Sequence, residues 1–313
     1  MAKSIGANSA FQHILENIFE NLKIDDLISC QKVSSYWRKL LENQNFWLKN
    51  DKLEKTIYEI ASSGNLEALQ FLHPIFSKHN LLAKSNRYTD PSGRKAIHIA
   101  CQEGHLEIVE FLTDLNQSKG WVLEQIILEN REDGWTPFHY ASFFGHATIV
   151  KHLLQLFDEL LTDEVEDKYD EYGLKAFCDN SEEHAFHFAI IKGHIDVIKA
   201  FMEYYLDLRL KRIFSSDYME GIELAVAHGH LEVVKFLLPY WEEDFLDAGE
   251  PLVEEFYEDL LGFAANKGHL EIMKWLILKV PNPFVFSTKL AQSYGCDELV
   301  DFVKTSGLVF YWP

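Results

Sequence analysis

The chain has 313 residues, 47% of them hydrophobic and 25% charged, enough to bury a sizeable core in one large or two modest domains. Its 29 Lys and Arg against 49 Asp and Glu give a formal net charge of -20, which repels nucleic-acid phosphates and anionic membrane surfaces. An aromatic content of 14% argues against disorder of the whole chain. Met1 to Ala10 show no apolar stretch of the signal-peptide kind, and no apolar run is long enough to span a membrane. Cys30, Cys101, Cys178 and Cys296 lie too far apart in sequence for metal-ligand spacing, so no metal and no cofactor are expected, and reduced thiols point to the cytoplasm.

The first predicted element runs over 11–22 and places Leu15, Ile18, Phe19 and Leu22 on one helical face. Asp25 suits the N-cap of a second short helix, and Cys30, Val33, Trp37 and Leu40 form a third stripe. Helices this short build a small core that docking on something else completes. The run Ile14, Leu15, Ile18, Phe19, Leu22, Asp26, Leu27, Cys30, Val33, Ser34, Trp37, Arg38 resembles an F-box. The family's opening Leu-Pro would fall at Ala10 and Phe11, and its Glu at His13, so the start departs from the pattern. The resemblance implies a partner, the SKP-family adaptor and through it a cullin. Phe11, Ile14, Leu15, Ile18, Phe19, Leu22, Leu27, Cys30 and Val33 are the expected adaptor contacts, with an apolar helical surface entering a groove. Exposure of Leu15, Ile18, Phe19 and Leu22 would favour docking; burial on the following helices would make the segment a cap.

From residue 64 onward a repeat governs the chain. Gly104-His105-Leu106-Glu107-Ile108-Val109-Glu110-Phe111-Leu112 recurs from Gly229 and from Gly268, with looser copies from Gly64, Gly145, Gly193 and Gly295. A short helix precedes each glycine, and before all but Gly64 an alanine, Ala100, Ala141, Ala189, Ala225, Ala264 or Ala291, stands four positions back, where a small side chain lets helices approach. A second helix follows, with apolar residues at helical spacing. One such pair cannot bury its apolar face alone, so the pairs must stack. Asp133-Gly134-Trp135-Thr136-Pro137-Phe138-His139-Tyr140-Ala141 reads as a turn, a cap and a helix start. These segments resemble the ankyrin repeat over residues 54 to 305, which implies an all-α solenoid of about seven units with insertions. The expected domains are an F-box-like module over 1–50 and an ankyrin array over 51–313.

Later copies decay: Glu223 and Gly262 replace the His of the helix start, so the hairpin fingers give way to loops or extra helix. His105, His146, His194, His230 and His269 recur at one position; the ankyrin resemblance implies that each hydrogen-bonds within its own helical pair, and rings one helix apart are too distant to share a metal.

Arrays of this family bind proteins along the first helices and finger tips. Arg87, Tyr88, Arg131, Trp135, Tyr140, Phe143 and Phe144 are the expected target contacts, because the repeat does not demand them and aromatic and Arg residues anchor interfaces. Acidic runs at 158–171 and 242–259 are solvated faces or walls that steer a basic target protein. No phosphate loop, nucleophile elbow or zinc pattern is present, and no catalytic residue is assigned. The combined resemblance implies a non-catalytic substrate receptor of an SCF-type ubiquitin ligase. The module order is similar to that of F-box/ankyrin effectors of intracellular bacteria such as Legionella, which act in the host cytoplasm. The alternative is an interaction scaffold in which the F-box-like segment only caps the array.

Overall fold

The computed structural model describes residues 18–19, 21–33, 35–42, 52–79, 89–113, 119–160, 176–181, 183–207, 211–248, 253–279 and 297–305. Among them the regular elements are helices joined by turns, with an isolated antiparallel bridge between Cys178 and His184. The expected positions Ala291 and Gly295 lie outside the described residues. The chain divides into two compact units, residues 1–185 and 186–313.

In the first unit, α1 (Ile24–Val33) and α2 (Ser35–Leu41) precede three helical pairs: α3 (Lys52–Ser63) with α4 (Leu66–His79), α5 (Ala96–Glu103) with α6 (Leu106–Leu112), and α8 (Pro137–Phe144) with α9 (Ala147–Leu160). An inserted helix, α7 (Lys119–Ile126), packs on α9. First helices stack on first helices, α3 on α5 and α5 on α8, while α4 meets α6 and α6 meets α9. The second unit holds α10 (Ala185–Lys192), α11 (Ile195–Asp207), α12 (Lys211–Ala227), α13 (Leu231–Ala248), α14 (Val253–Lys267), α15 (Leu270–Lys279) and α16 (Asp297–Thr305). There α12 packs on α13 and α14, and α14 on α15.

The helical spacing seen in sequence buries the residues it should. Ile108, Val109, Phe111 and Leu112 are buried in α6; Ile272, Met273, Leu276 and Ile277 in α15. Ala100, Ala141, Ala189, Ala225 and Ala264 are each fully inaccessible, so a larger side chain there would hold neighbouring helices apart. In the first unit Phe138, Phe157 and Phe177 pack edge to face with centroids 4.8 to 6.4 Å apart.

Each first helix ends on its glycine in the left-handed region; Gly104 has φ 78° and Gly145 φ 83°. The following His N–H then bonds the carbonyl five residues back, His105 to Ala100 at 2.9 Å and His146 to Ala141 at 2.8 Å, closing a Schellman motif. The imidazole does something the sequence reading did not expect. It reaches back to the preceding pair rather than staying in its own. His146 Nε2 donates to Gln102 O at 2.8 Å, His230 to Ile191 O at 2.9 Å and His269 to Ala227 O at 3.0 Å. These are last-turn carbonyls, which a helix leaves without intrahelical partners. The ring also lies over the preceding glycine: a Cβ at Gly104 would stand 2.5 Å from His146, and one at Gly193 2.5 Å from His230. Glycine is thus required twice, for its φ and for its bare face.

Gly104→Ala is expected to lower the unfolding free energy by about 2 kcal/mol or more in urea titration, from left-handed strain plus the displaced His146 ring. Gly120→Ala, whose Cβ meets nothing within 4 Å, should instead be neutral or stabilising by up to about 1 kcal/mol, since it lies in helix α7.

Candidate protein-interaction surfaces

The N-terminal module is seated on the first helical pair. Helix α1 lies against α3 and α4, with Leu27 and Ile28 buried. Phe19 is buried with its ring edge to face on Trp37 at 5.3 Å. The helix starts at Ile24, and Lys23 O accepts the Leu27 N–H, so Asp25 is not the N-cap but joins Asp26 in the first turn. Both carboxylates still face the positive end of the helix.

Asn65 stands where later turns carry His, one residue after Gly64. It too reaches back: its Nδ2 donates to Asp25 Oδ1 on α1, while its Oδ1 accepts the Ala68 N–H at 2.9 Å. The first turn therefore addresses the N-terminal module where later turns address a helical pair.

Of the expected adaptor contacts, Phe11, Ile14 and Leu15 lie outside the described residues. Ile18 is 49% exposed, Leu22 is half-buried and Val33 lies in α1. Cys30 is half-buried, and burial, then Asp26, raises its thiol, so it presents a neutral apolar sulfur. Phe19 and Leu27 are a correction: both are interior, because so small a module has only its bulkiest apolar side chains with which to build a core.

At the other edge of the first unit, three turns open on residues that bind their own backbone. Asp90 Oδ1 accepts the Arg94 N–H at 2.8 Å. Asn130 Oδ1 accepts those of Asp133, Gly134 and Trp135 at 2.9, 2.9 and 3.2 Å. Asp179 Oδ1 accepts those of Ser181 and Glu183 at 2.8 and 3.0 Å. Asp179 with Ser181 makes an Asx turn, while Asp90 and Asn130 reach three to five residues on and close wider turns. Each turn bonds its neighbour, Arg131 N–H to Ser92 O at 3.3 Å and Asn180 N–H to Asp133 O at 3.1 Å. In the second unit α12 and α14 run 17 and 15 residues, against eight in α5 and α8, so extra helix stands where the fingers were expected to decay.

Two buried imidazoles hold this edge. His98 Nδ1 accepts the Lys95 N–H at 2.9 Å and its Nε2 donates to Leu128 O at 2.7 Å. His139 Nδ1 accepts the Thr136 N–H at 3.1 Å and its Nε2 donates to Glu183 O at 3.2 Å. Thr136, at the helix N-cap before Pro137, sends its hydroxyl to Ala176 O at 2.7 Å. Burial drives both imidazoles down to about 4, outweighing the carbonyl hydrogen bonds that pull them up. Asp90 is also buried enough to raise its carboxyl, yet the Arg94 N–H, its guanidinium at 2.7 Å and Tyr58 leave it below the usual range.

Of the expected target contacts, Arg87 and Tyr88 lie outside the described residues. Arg131 is exposed, Trp135 and Phe143 are half-buried, and Phe144 is 43% exposed. Tyr140 is a correction. It is 5% exposed, its hydroxyl accepts the Asn130 Nδ2–H at 2.8 Å, and its ring lies 5.5 Å from His98 and 5.3 Å from Trp135. It braces the surface from beneath. Asn130 and Asn65 were not among the expected site residues; an Asn four residues before Gly134 is a legible turn signal, whereas Asn65 has meaning only against the His of later copies.

Most of 158–171 lies outside the described residues. In the other acidic run Glu243, Glu258 and Asp259 are exposed, and the Tyr257 hydroxyl donates to Glu242. Burial, then Asp259 and Glu220, raises the Glu223 carboxyl. Burial pushes the Cys101 thiol far up, which removes the thiolate a nucleophile needs. Among the described residues no His, Cys, Asp and Glu gather in a metal-binding group, and no helix is long and apolar enough to cross a membrane.

Comparison with known proteins fits this geometry. An F-box domain profile matches residues 12–49, and an ankyrin-repeat profile matches 31–121, 57–164 and 122–212. The Notch-regulated ankyrin repeat-containing protein of Homo sapiens is 32% identical over 101 residues, 32% of this chain and 79% of that protein. That of Xenopus tropicalis is 31% identical over 101 residues, with the same coverage. The putative ankyrin repeat protein L56 of Acanthamoeba polyphaga mimivirus is 25% identical over 175 residues, 55% of this chain and 23% of that protein.

Because His98 and His139 titrate lower in the fold than the 6.5 of a free imidazole, the unfolded chain binds more protons between those values. Their contribution is complete above pH 6.5 and lost as pH falls through about 4, on the order of 3 kcal/mol each. Melting temperature should fall across that window, and His98→Gln with His139→Gln should flatten the slope even while lowering the whole curve. At the other end, Asn65→Ala should speed amide exchange in 24–33 while leaving α8 and α9 unchanged, by exchange mass spectrometry.

Proposed function

The chain belongs to the ankyrin-repeat family, and from that premise we propose that it is the substrate receptor of an SCF-type cullin-RING ubiquitin ligase. An F-box match directly ahead of the array, seated on its first helical pair, is the observation that carries this reading. Residues 1–50 dock the SKP-family adaptor through Ile18, Leu22, Cys30 and Val33, with Phe11, Ile14 and Leu15 ahead of them; residues 51–313 hold the target. A separate enzyme transfers ubiquitin, so the contribution of this chain is proximity: tethering raises the effective concentration of target at that enzyme. F-box and ankyrin domains are typically non-catalytic adaptors, in keeping with the neutral, buried Cys101. The module order supports a finer reading, an effector of an intracellular bacterium such as Legionella that works on host ubiquitination.

The seating of α1 on α3 and α4, with the Asn65–Asp25 bond, favours a second reading in which the module only caps the array. Capping and docking use different faces, since Leu27 and Ile28 turn inward while Ile18 is exposed. Calorimetry of the full chain against the SKP-family adaptor separates them. Binding that Leu15→Ala with Ile18→Ala weakens about tenfold or more, with the melting temperature unchanged, is the expected result. A wild-type chain that shows no heat and no comigration with the adaptor leaves the scaffold reading alone.

A further inference from the structure

We propose that Trp135, Phe143 and Phe144, with Glu103, Glu132 and Asp133 around them, form a docking site for a cationic protein segment. The segment would seat one bulky apolar side chain on the rings and set a Lys or Arg beside it. The proposal rests on the target-binding half of the receptor reading and gives the target its chemistry.

The three rings form one cluster. Phe143 and Phe144 pack edge to face at 5.1 Å, and Trp135 lies 5.2 Å from Phe143. The repeat does not require them. In the preceding pair the same two places before the turn glycine hold Gln102 and Glu103. Phe144 is 43% exposed at a helix end where solvent would ordinarily select a polar residue.

The cluster is also held in shape. Tyr140 meets the Trp135 ring edge to face at 5.3 Å and is itself fixed by Asn130, whose side-chain Oδ1 accepts the Trp135 N–H and closes the turn that carries it. His139 stacks on the Trp135 ring at 6.2 Å. Rings already fixed lose little rotamer freedom on binding, which favours affinity.

Charge selects the partner. The ends of α5 and α8 adjoin, since His146 Nε2 reaches Gln102 O at 2.8 Å, and Glu103 and Phe144 hold the same place in these two pairs, one residue before the turn glycine. The Glu103 carboxylate is oriented by the Gln102 amide at 2.8 Å, which in turn accepts from Arg94 at 2.7 Å. Arg94 is already paired with Asp90. Glu132 and Asp133 stand exposed on the turn. Arg131 folds back along the preceding turn, where a Cβ on Gly93 would meet its Cγ at 2.5 Å. Among the described residues at these turn and helix ends, the exposed carboxylates Glu103, Glu132 and Asp133 outnumber the exposed Arg131, and the ring faces add attraction for a cation above them. A polyanion is repelled here, and a neutral apolar segment leaves the carboxylates unpaired.

The test uses the purified full chain and an array of short peptides, each with one Leu, Phe or Trp flanked by Lys, by Glu or by Ser. The strongest binder is then titrated by fluorescence anisotropy against Phe144→Ala and Glu103→Lys, both at surface positions. Lys-flanked members should bind and Glu-flanked members should not, and each substitution should weaken binding about tenfold. The proposal is overturned if no Lys-flanked peptide binds, if Glu- and Lys-flanked peptides bind alike, or if Phe144→Ala leaves affinity unchanged. That last outcome would mean general attraction to a chain of net charge -20. Both variants should keep wild-type affinity for the adaptor, so failure at this patch and failure of the receptor reading give different results.

Discussion

The fold depends on a contact that no helical pair can make for itself. An imidazole from one pair lies on the bare α-carbon of the pair before it and satisfies a carbonyl that the earlier helix leaves open. A net hydrogen bond of this kind is worth only about 1 kcal/mol, but its loss strands a half-buried carbonyl at a cost of about 1–3 kcal/mol. The apolar faces supply the bulk of the stability; the imidazole decides how the next pair is placed on them. Register between pairs is therefore polar in origin even though cohesion is not.

The second polar line, at the turn edge, works with the opposite direction of address. His98 and His139 bond to carbonyls further along the chain, at Leu128 and Glu183, whereas the turn histidines bond to carbonyls already passed. The α8–α9 pair is thus tied forward at one edge, through His139, and backward at the other, through His146. Trp135 sits on the forward edge over the buried Tyr140, which is why an aromatic surface there can be both accessible and fixed.

Much of this was legible in the residues. The glycine-histidine copies, the alanines four places back and the apolar spacing of the second helices all correspond to local requirements, so each copy announced its own secondary structure. What sequence could not supply was partnership between copies. The histidines were expected to bond within their own pair because spacing along a chain says nothing of which carbonyl comes near in space. Phe19 and Leu27 were expected at a surface for a similar reason: an apolar stripe does not say which of its members the tertiary core takes first. Tyr140 was expected there because the repeat does not demand it, and its bond to Asn130 draws it inside. Asn65 illustrates the limit well, since one Asn in place of a His reads as decay until Asp25 is found opposite it.

The back-reaching side chain also gives the units ends that differ in kind, a socket of bare glycine and a plug of imidazole. Within each compact unit, a copy that carries both can be followed by another like it, so duplication of such a segment yields a product whose new junction already fits. The copy at Gly64 and Asn65 lacks that freedom: it offers a socket to His105, but its own plug is cut for Asp25. An array of this design can lengthen in its interior by simple copying, while its first member stays bound to the module in front of it and is inherited with that module as one piece.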